Sequence, residues 1–361
     1  MMKSNDTPAA TTQRIGYIDA LRGLTMFLVV LGHVAALCWH LPIEQYSPHY
    51  YIMQVRMPMF FFISGFVLYK AGVVWNGRHI VAFFKKKIPV QLISPFIFFA
   101  IFLYIHHVTL WDGVMEKQKM GYWFTLALLE YYVIYATVRF IVRKGWYKLI
   151  LVAIGLVLYY YCWPGMTTGI QRLDNLFLLL SVPQWRFFIF FVLGTLVKEH
   201  FGTVQQWLDS KWLLAVCIVF YFVVNALGDM LMASAIPVKF LLSLTGLTIL
   251  FAFFRSRQAL FSRETRLGRT MQYVGRRTLD IYLIHFFLLP RNLSDFTFFN
   301  DHPMPVIELA VSSVIAIIII AGCLLVSNII RLSPWLARWL FGAKPAQGDP
   351  RPQLQGPNPR N

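Results

Sequence analysis

Read for its apolar and polar positions, the chain divides into apolar runs of about twenty residues separated by short polar stretches. Ten runs stand out, at about 21–40, 51–69, 88–106, 122–142, 147–163, 176–197, 212–228, 238–254, 278–290 and 306–330. Runs of this length cross a bilayer as helices, which satisfy their own backbone hydrogen bonds. Pro183 and Arg186 interrupt the sixth run and the ninth is short, so tilted, broken or re-entrant segments are expected there. The pattern predicts an all-α polytopic membrane protein with about ten transmembrane helices. The membrane domain is expected over 21–342, after an N-terminal segment 1–20. The tail 343–361, rich in Pro, Gly and Gln, is expected to be disordered. No small-residue cleavage site follows the first run, which is expected to stay as an uncleaved anchor. No internal repeat stands out, which weighs against inverted-repeat transporters.

Composition supports this class. The chain is 58% hydrophobic and only 14% charged, whereas soluble domains carry about 25% charged residues. A net charge of +17 would suggest nucleic acid in a soluble protein, but here it follows topology. With the N-terminus inside, all but seven of the 33 Lys and Arg fall on the inner side. The seven are Arg56, Lys117, Lys119, Arg172, Arg186, Lys239 and Arg291. That is the positive-inside asymmetry expected of ten helices with both termini cytoplasmic, and no nucleic acid is needed to explain it. Cys38, Cys162, Cys217 and Cys323 lack the paired spacing of a zinc site. Cys38 and Cys162, both near outer helix ends, are read as packing cysteines or as a disulfide pair.

The first run, GYIDALRGLTMFLVVLGHVAALCWH, keeps four polar groups that hydrocarbon disfavours. At 100° per residue, Arg22 and His33 lie within about 20° of each other. Asp19 is about 40° from His33 and His40 about 20° on the other side, so all four share a face with Met26 and Val29. Arg22 and His33 are about 16 Å apart along the axis. Asp19 and Arg22 read as an interfacial pair, or Arg22 as a cation at a cytoplasmic mouth. A histidine deep in a span reads better as a titratable base lining a polar channel than as a packing residue.

Aspartate, two residues, Arg-Gly, then a histidine ten residues on resembles the opening of acyltransferase family 3, the integral-membrane O-acyltransferases. MPMFFFISGFVLY (57–69), GYWFTLALLEYY (from 121) and VGRRTLDIYLIHF (274–286) resemble that family's second, fourth and late segments, in order. The resemblance implies a ten-helix enzyme that takes an acyl group, usually acetyl, from cytoplasmic acyl-CoA. It passes the group to a hydroxyl of a surface or lipid-linked carbohydrate, with Arg22 and His33 as the catalytic pair. It also implies a basic stretch before the third span holding CoA phosphates, here AFFKKKIPVQLISP with Lys85, Lys86 and Lys87. The chain departs from the family pattern at Gln91, where arginine is frequent, and at Arg56, where histidine is frequent.

Acyl transfer from a thioester requires a base, an oxyanion site and a grip on a polyanionic donor. His33 supplies the base, and Arg22 is placed to bind CoA phosphate or to anchor topology. Glu130, mid-span in the fourth helix, is expected to assist catalysis or to pair with Arg56 or Arg186. Tyr282 and His285, three residues apart, share a helix face and line the cavity or pack. Ser64 and Gly65 permit close helix packing, and no activating base beside Ser64 marks it as a nucleophile. Arg56, Ser64, Tyr282 and His285 form the expected substrate-binding set. Seven arginines between 255 and 277 read as a lipid-facing inner loop that also attracts CoA. His106, His107 and His302 are placed at the outer surface, and no metal is expected. The expected partners are acyl-CoA, a carbohydrate acceptor and the bilayer, expected to be the bacterial plasma membrane. A proton-coupled transporter or flippase using His33 and Glu130 is the competing reading.

Overall fold

Each of the ten apolar runs folds as helix. A computed structural model describes residues 15–39, 48–142, 145–163, 167–232, 235–290, 293, 299 and 304–342. His40, Arg291, His302 and the tail lie outside the described residues. Among those described, every regular element is helical. In order they are α1 (Gly16–Leu37), α2 (Pro48–Leu68), α3 (Gly77–Ile88), α4 (Ser94–Ile105), α5 (Leu110–Met115), α6 (Trp123–Ile141), α7 (Tyr147–Tyr161) and α8 (Gln171–Leu179). Then come α9 (Phe188–Glu199), α10 (Phe201–Leu208), α11 (Lys211–Leu227), α12 (Ile236–Ser256), α13 (Arg266–Arg276), α14 (Thr278–Leu288), α15 (Pro305–Ile330) and α16 (Pro334–Phe341).

Among the described residues, six helical stretches are long and apolar enough to cross a bilayer: α1, α2, Gly77–Ile105, α6, α12 and α15. Two bent pairs, at 56° before α9 and 70° before α11, bring the number to eight. α7 and α14 are shorter apolar helices. Residues Pro183 and Arg186 do interrupt the sixth run, in a 3-10 turn over Val182–Phe187 between α8 and α9. The third span starts earlier than its apolar run, because Asn76 caps α3 by accepting from the His79 amide at 2.8 Å. The three lysines therefore sit on a helix rather than in a loop. Pro89 continues that helix through a π turn, Pro89–Ile93, since its missing N–H cannot join an α ladder.

Aromatic rings fill the space between helices. Phe61, Phe62, Phe66, Tyr131, Phe188 and Phe191 are all buried. Glycines set the closest crossings. At the α2–α9 crossing, a Cβ on Gly65 would stand 1.9 Å from the Phe191 carbonyl oxygen, and one on Gly194 2.0 Å from that of Phe62. α1 meets α13 at Gly23 and Gly275, where the corresponding gaps are 2.3 Å to Met271 O and 1.8 Å to Asp19 O. Small residues let helix backbones approach where lipid supplies no hydrophobic drive between helices. The outer faces are apolar: Val216, Val219 and Phe222 on α11 and Ile317, Ile318 and Leu325 on α15 are exposed. A bilayer covers such faces; water does not. All four cysteines are buried, and no disulfide joins Cys38 to Cys162.

Candidate active site

Four helix stripes enclose one large cavity of about 630 Å³. α1 contributes Arg22, Met26, Val29 and His33, four residues of the face laid out by the helical repeat. α2 contributes Met57, Phe60, Ser64, Val67 and Leu68, and Lys70 follows. α3 and its π turn contribute His79, Phe83, Lys86, Lys87, Val90 and Gln91. α6 contributes Thr125, Leu128, Tyr132, Tyr135 and Arg139, again at three- and four-residue steps. Tyr282 of α14 and Gly121 line it as well.

The charge on this lining has one sign. Arg22, Lys70, Lys86, Lys87 and Arg139 are the charged side chains among the lining residues, with no carboxylate. They gather at one end, where the start of α1, the end of α2, the face of α3 and the end of α6 meet. Aromatic rings carry two of them: Lys87 Nζ lies 4.9 Å from the Tyr132 ring centre, and the Arg139 guanidinium 3.9 Å from that of Tyr147. Along α6, Arg139 is about 21 Å from Thr125 at 1.5 Å per residue. The far end holds His33, Thr125 and Tyr282. His33 lies about 6 Å from the C-terminal end of α1, so it is nearer that end than the middle of the span.

At the far end the rings interlock. His33 and His285 have ring centres 5.3 Å apart, and Phe286 lies 5.0 Å from His33. His285 Nδ1 is 3.0 Å from the Ile281 carbonyl oxygen and 2.8 Å from that of Tyr282. Two acceptors there mean that Nδ1 carries the proton. Nε2 is left buried with no hydrogen-bond partner. The Tyr282 hydroxyl donates to Gly121 O at 3.0 Å and accepts from the Phe124 amide at 3.2 Å. That ties α14 to the start of α6. The Ser64 hydroxyl donates to Phe60 O at 2.8 Å, one turn back along its own helix.

The turn before α6 is strained. Lys119 and Met120 have φ of 48° and 50° and Gly121 has 97°. A left-handed non-glycine residue costs about 1–3 kcal/mol and persists only where its surroundings hold it. Here Lys119 Nζ donates to the carbonyls of Val114 and Leu178, both at 2.6 Å. Burial lowers the Lys119 pKa, and Glu130 and Glu116 oppose that.

The expected residues divide. Arg22, His33, Ser64, Lys86, Lys87 and Tyr282 line the cavity. Lys85 is exposed and points away from it, being off the α3 stripe. Glu130 lies about 160° around α6 from Tyr132. Its carboxylate accepts from Trp185 Nε1 at 2.7 Å, outside the cavity, and pairs with neither Arg56 nor Arg186. Asp19 is buried and does not line the cavity. Arg56 also stands off the cavity, its guanidinium on the α1 backbone: a Cβ at Gly32 would be 1.6 Å from Nη1. His285 is buried behind His33 rather than lining the space. Of the seven arginines, Arg255 pairs with Asp209 and Arg277 with Asp280, and the rest do not line the cavity. Sequence reasoning assigned no binding role to Lys70, His79 or Arg139. For Arg139 a signal existed, since it ends the Thr125–Leu128–Tyr132–Tyr135 stripe.

No curated protein and no solved structure matches the chain significantly. The profile of the acyltransferase domain family matches residues 15–328, which include every residue lining this cavity. A multi-pass helical fold, a cavity with a basic end and a histidine at the other, and this match agree: the chain belongs to acyltransferase family 3 and is a membrane acyltransferase.

Proposed function

We propose that this acyltransferase takes an acyl group, acetyl first, from acyl-CoA and transfers it to a hydroxyl of a cell-surface or lipid-linked carbohydrate. The observation that carries the reading is the cavity: five cations and no carboxylate on its lining, gathered at one end, with His33 at the other. CoA carries several phosphate charges on one end and its thioester on the other, with a narrow, mostly uncharged arm between. Lys70, Lys86, Lys87, Arg139 and Arg22 hold the phosphates in this reading, and arginine forks suit phosphate oxygens best. The aromatic walls of Phe60, Tyr132 and Trp123 accommodate the arm.

His33 takes the proton from the acceptor hydroxyl as its oxygen attacks the thioester carbon. The carbonyl electron pair moves onto oxygen, giving a tetrahedral oxyanion. On collapse the C–S bond breaks, and the proton passes from His33 to the thiolate, releasing free CoA. Both termini and the basic end face the cytoplasm in this scheme, in a bacterial plasma membrane.

Purified protein in lipid nanodiscs with labelled acetyl-CoA tests the proposal. Free CoA is followed with and without a glycan extract, for wild type and His33→Ala. Turnover that vanishes in a variant still binding CoA supports the assignment. Failure of the wild type to bind or turn over any acyl-CoA overturns the donor.

A further inference from the structure

A cation at membrane depth needs a counter-charge, because hydrocarbon supplies none. Arg56 stands about 12 Å along α2 from Pro48, one turn before Phe60 of the cavity lining. Among the described residues it makes no hydrogen bond and no ion pair. The carboxylates deep in the helices are committed elsewhere. Glu308 meets His49 Nε2 at 2.8 Å and the Ser312 hydroxyl at 2.5 Å. Glu130 accepts from Trp185, and Asp280 pairs with Arg277 and Arg331.

The unpaired guanidinium nevertheless has a built seat. A Cβ added at Gly32 would stand 1.6 Å from Arg56 Nη1, 2.8 Å from Cζ and 3.6 Å from Nε. The side chain that Gly32 lacks is thus the room that the guanidinium fills. With a Cα–Cβ bond of about 1.5 Å, Nη1 lies within about 3 Å of the Gly32 Cα, and within about 7 Å of the adjoining His33 Cα. Gly32 is 100° around α1 from His33, so Arg56 flanks the base without facing the cavity that takes the thioester. It is only partly buried, so an anion can reach it.

We infer that Arg56 determines acceptor specificity: seated in the Gly32 notch beside His33, it binds a carboxylate or phosphate of the acceptor while the acceptor hydroxyl meets His33. This rests on the reading above, in which acyl-CoA acylates a carbohydrate. An acidic sugar, or a sugar joined to phosphate, carries a hydroxyl and an anion close enough to serve both residues. A guanidinium offers two N–H groups to two oxygens of either anion, a fork that lysine lacks. The counter-charge that Arg56 lacks in the free protein is the one the acceptor brings. The acceptor is therefore an acidic glycan, and a neutral one is a poor substrate.

The test uses full-length protein in nanodiscs, labelled acetyl-CoA and the glycan extract separated by anion exchange into neutral and acidic fractions. Part of the acidic fraction is treated with carbodiimide and borohydride, which turn carboxylates into alcohols. Another part is treated with hydrofluoric acid, which removes phosphates. Wild type is expected to acylate the acidic fraction, and one of the two treatments should raise KM for the acceptor about 30-fold, which names the anion. Arg56→Gln should raise KM for the untreated fraction by a similar factor, with kcat within about three-fold, and should add no loss once the anion is gone. Arg56→Lys should recover part of the affinity. Binding of a thioether analogue of acetyl-CoA shows that each variant is folded. If Arg56→Gln does not bind it, Arg56→Lys on treated and untreated acceptor takes its place. Acylation confined to the neutral fraction, or weakened by neither treatment, overturns the inference. So does an Arg56→Gln defect that persists on the treated acceptor, or a fall in kcat with KM unmoved, the pattern of a transition-state donor. Wild type that binds no acyl-CoA, or binds it and acylates no fraction, defeats instead the reading on which the inference rests.

Discussion

His33 and His285 face each other with ring centres 5.3 Å apart, one imidazole on the cavity and the other sealed behind it. Two carbonyls fix the His285 proton on Nδ1, so the second ring turns an unoccupied Nε2 acceptor toward the interior. The pair is asymmetric, and the two substitutions should differ. His33→Ala is expected to lower acyl transfer about 1,000-fold, within the range of a lost general base. His285→Ala removes support rather than chemistry and should cost about ten-fold. Steady-state CoA release on the two purified variants checks the ratio.

The basic end predicts an effect on binding rather than on the chemical step. Lys86→Gln, Lys87→Gln and Arg139→Gln should each raise KM for acyl-CoA about ten-fold, with kcat within about two-fold. Raising salt should reproduce part of the effect, because exposed charges are screened. Lys85→Gln, one residue from the stripe, should match wild type. Initial rates across acyl-CoA and salt concentrations separate these outcomes.

The α2–α9 crossing predicts a packing defect. Gly65→Ala places its Cβ 1.9 Å from a backbone oxygen that cannot swing aside. One helix must move, at a cost of about 1–3 kcal/mol. A lowered thermal midpoint in detergent, with Gly72→Ala as an open-space comparison on the same scale, measures it. Gly72 has nothing within 4 Å of its added Cβ, although its φ of 77° carries a small penalty of its own.

Asp280 ties two helices together through a buried carboxylate. It is 2% exposed and accepts from Ser327 at 2.5 Å and from Arg331 Nε at 2.9 Å, while pairing with Arg277 at 3.3 Å. It thus ties α14 to the end of α15. Asp280→Ala leaves two arginines without their carboxylate and should cost about 3 kcal/mol, near the low end for breaking a buried pair. Urea or thermal unfolding in nanodiscs reads the loss, and Asp280→Asn should recover part of it.

Much of this protein is legible along its sequence. Apolar runs of bilayer length determine helices, because hydrocarbon leaves the backbone no other partner than itself. The helical repeat alone put Asp19, Arg22, Met26, Val29, His33 and His40 on one face of α1; Arg22, Met26, Val29 and His33 line the cavity, Asp19 is buried away from it, and His40 lies outside the described residues. The α6 stripe ending at Arg139 was equally available, yet Glu130 drew attention because a carboxylate in a span is rare. Rarity marks a residue without saying which way it points, and Glu130 points to Trp185. Periodicity within one helix cannot say which helices meet. Tertiary packing decided that Lys86 and Lys87 face Tyr132 and Arg139 while Lys85 does not. It also decided that the Arg56 guanidinium lies against Gly32, and that His285 backs His33. Those outcomes depend on crossings set by glycines and aromatic rings from distant segments. Only the folded chain brings those segments together.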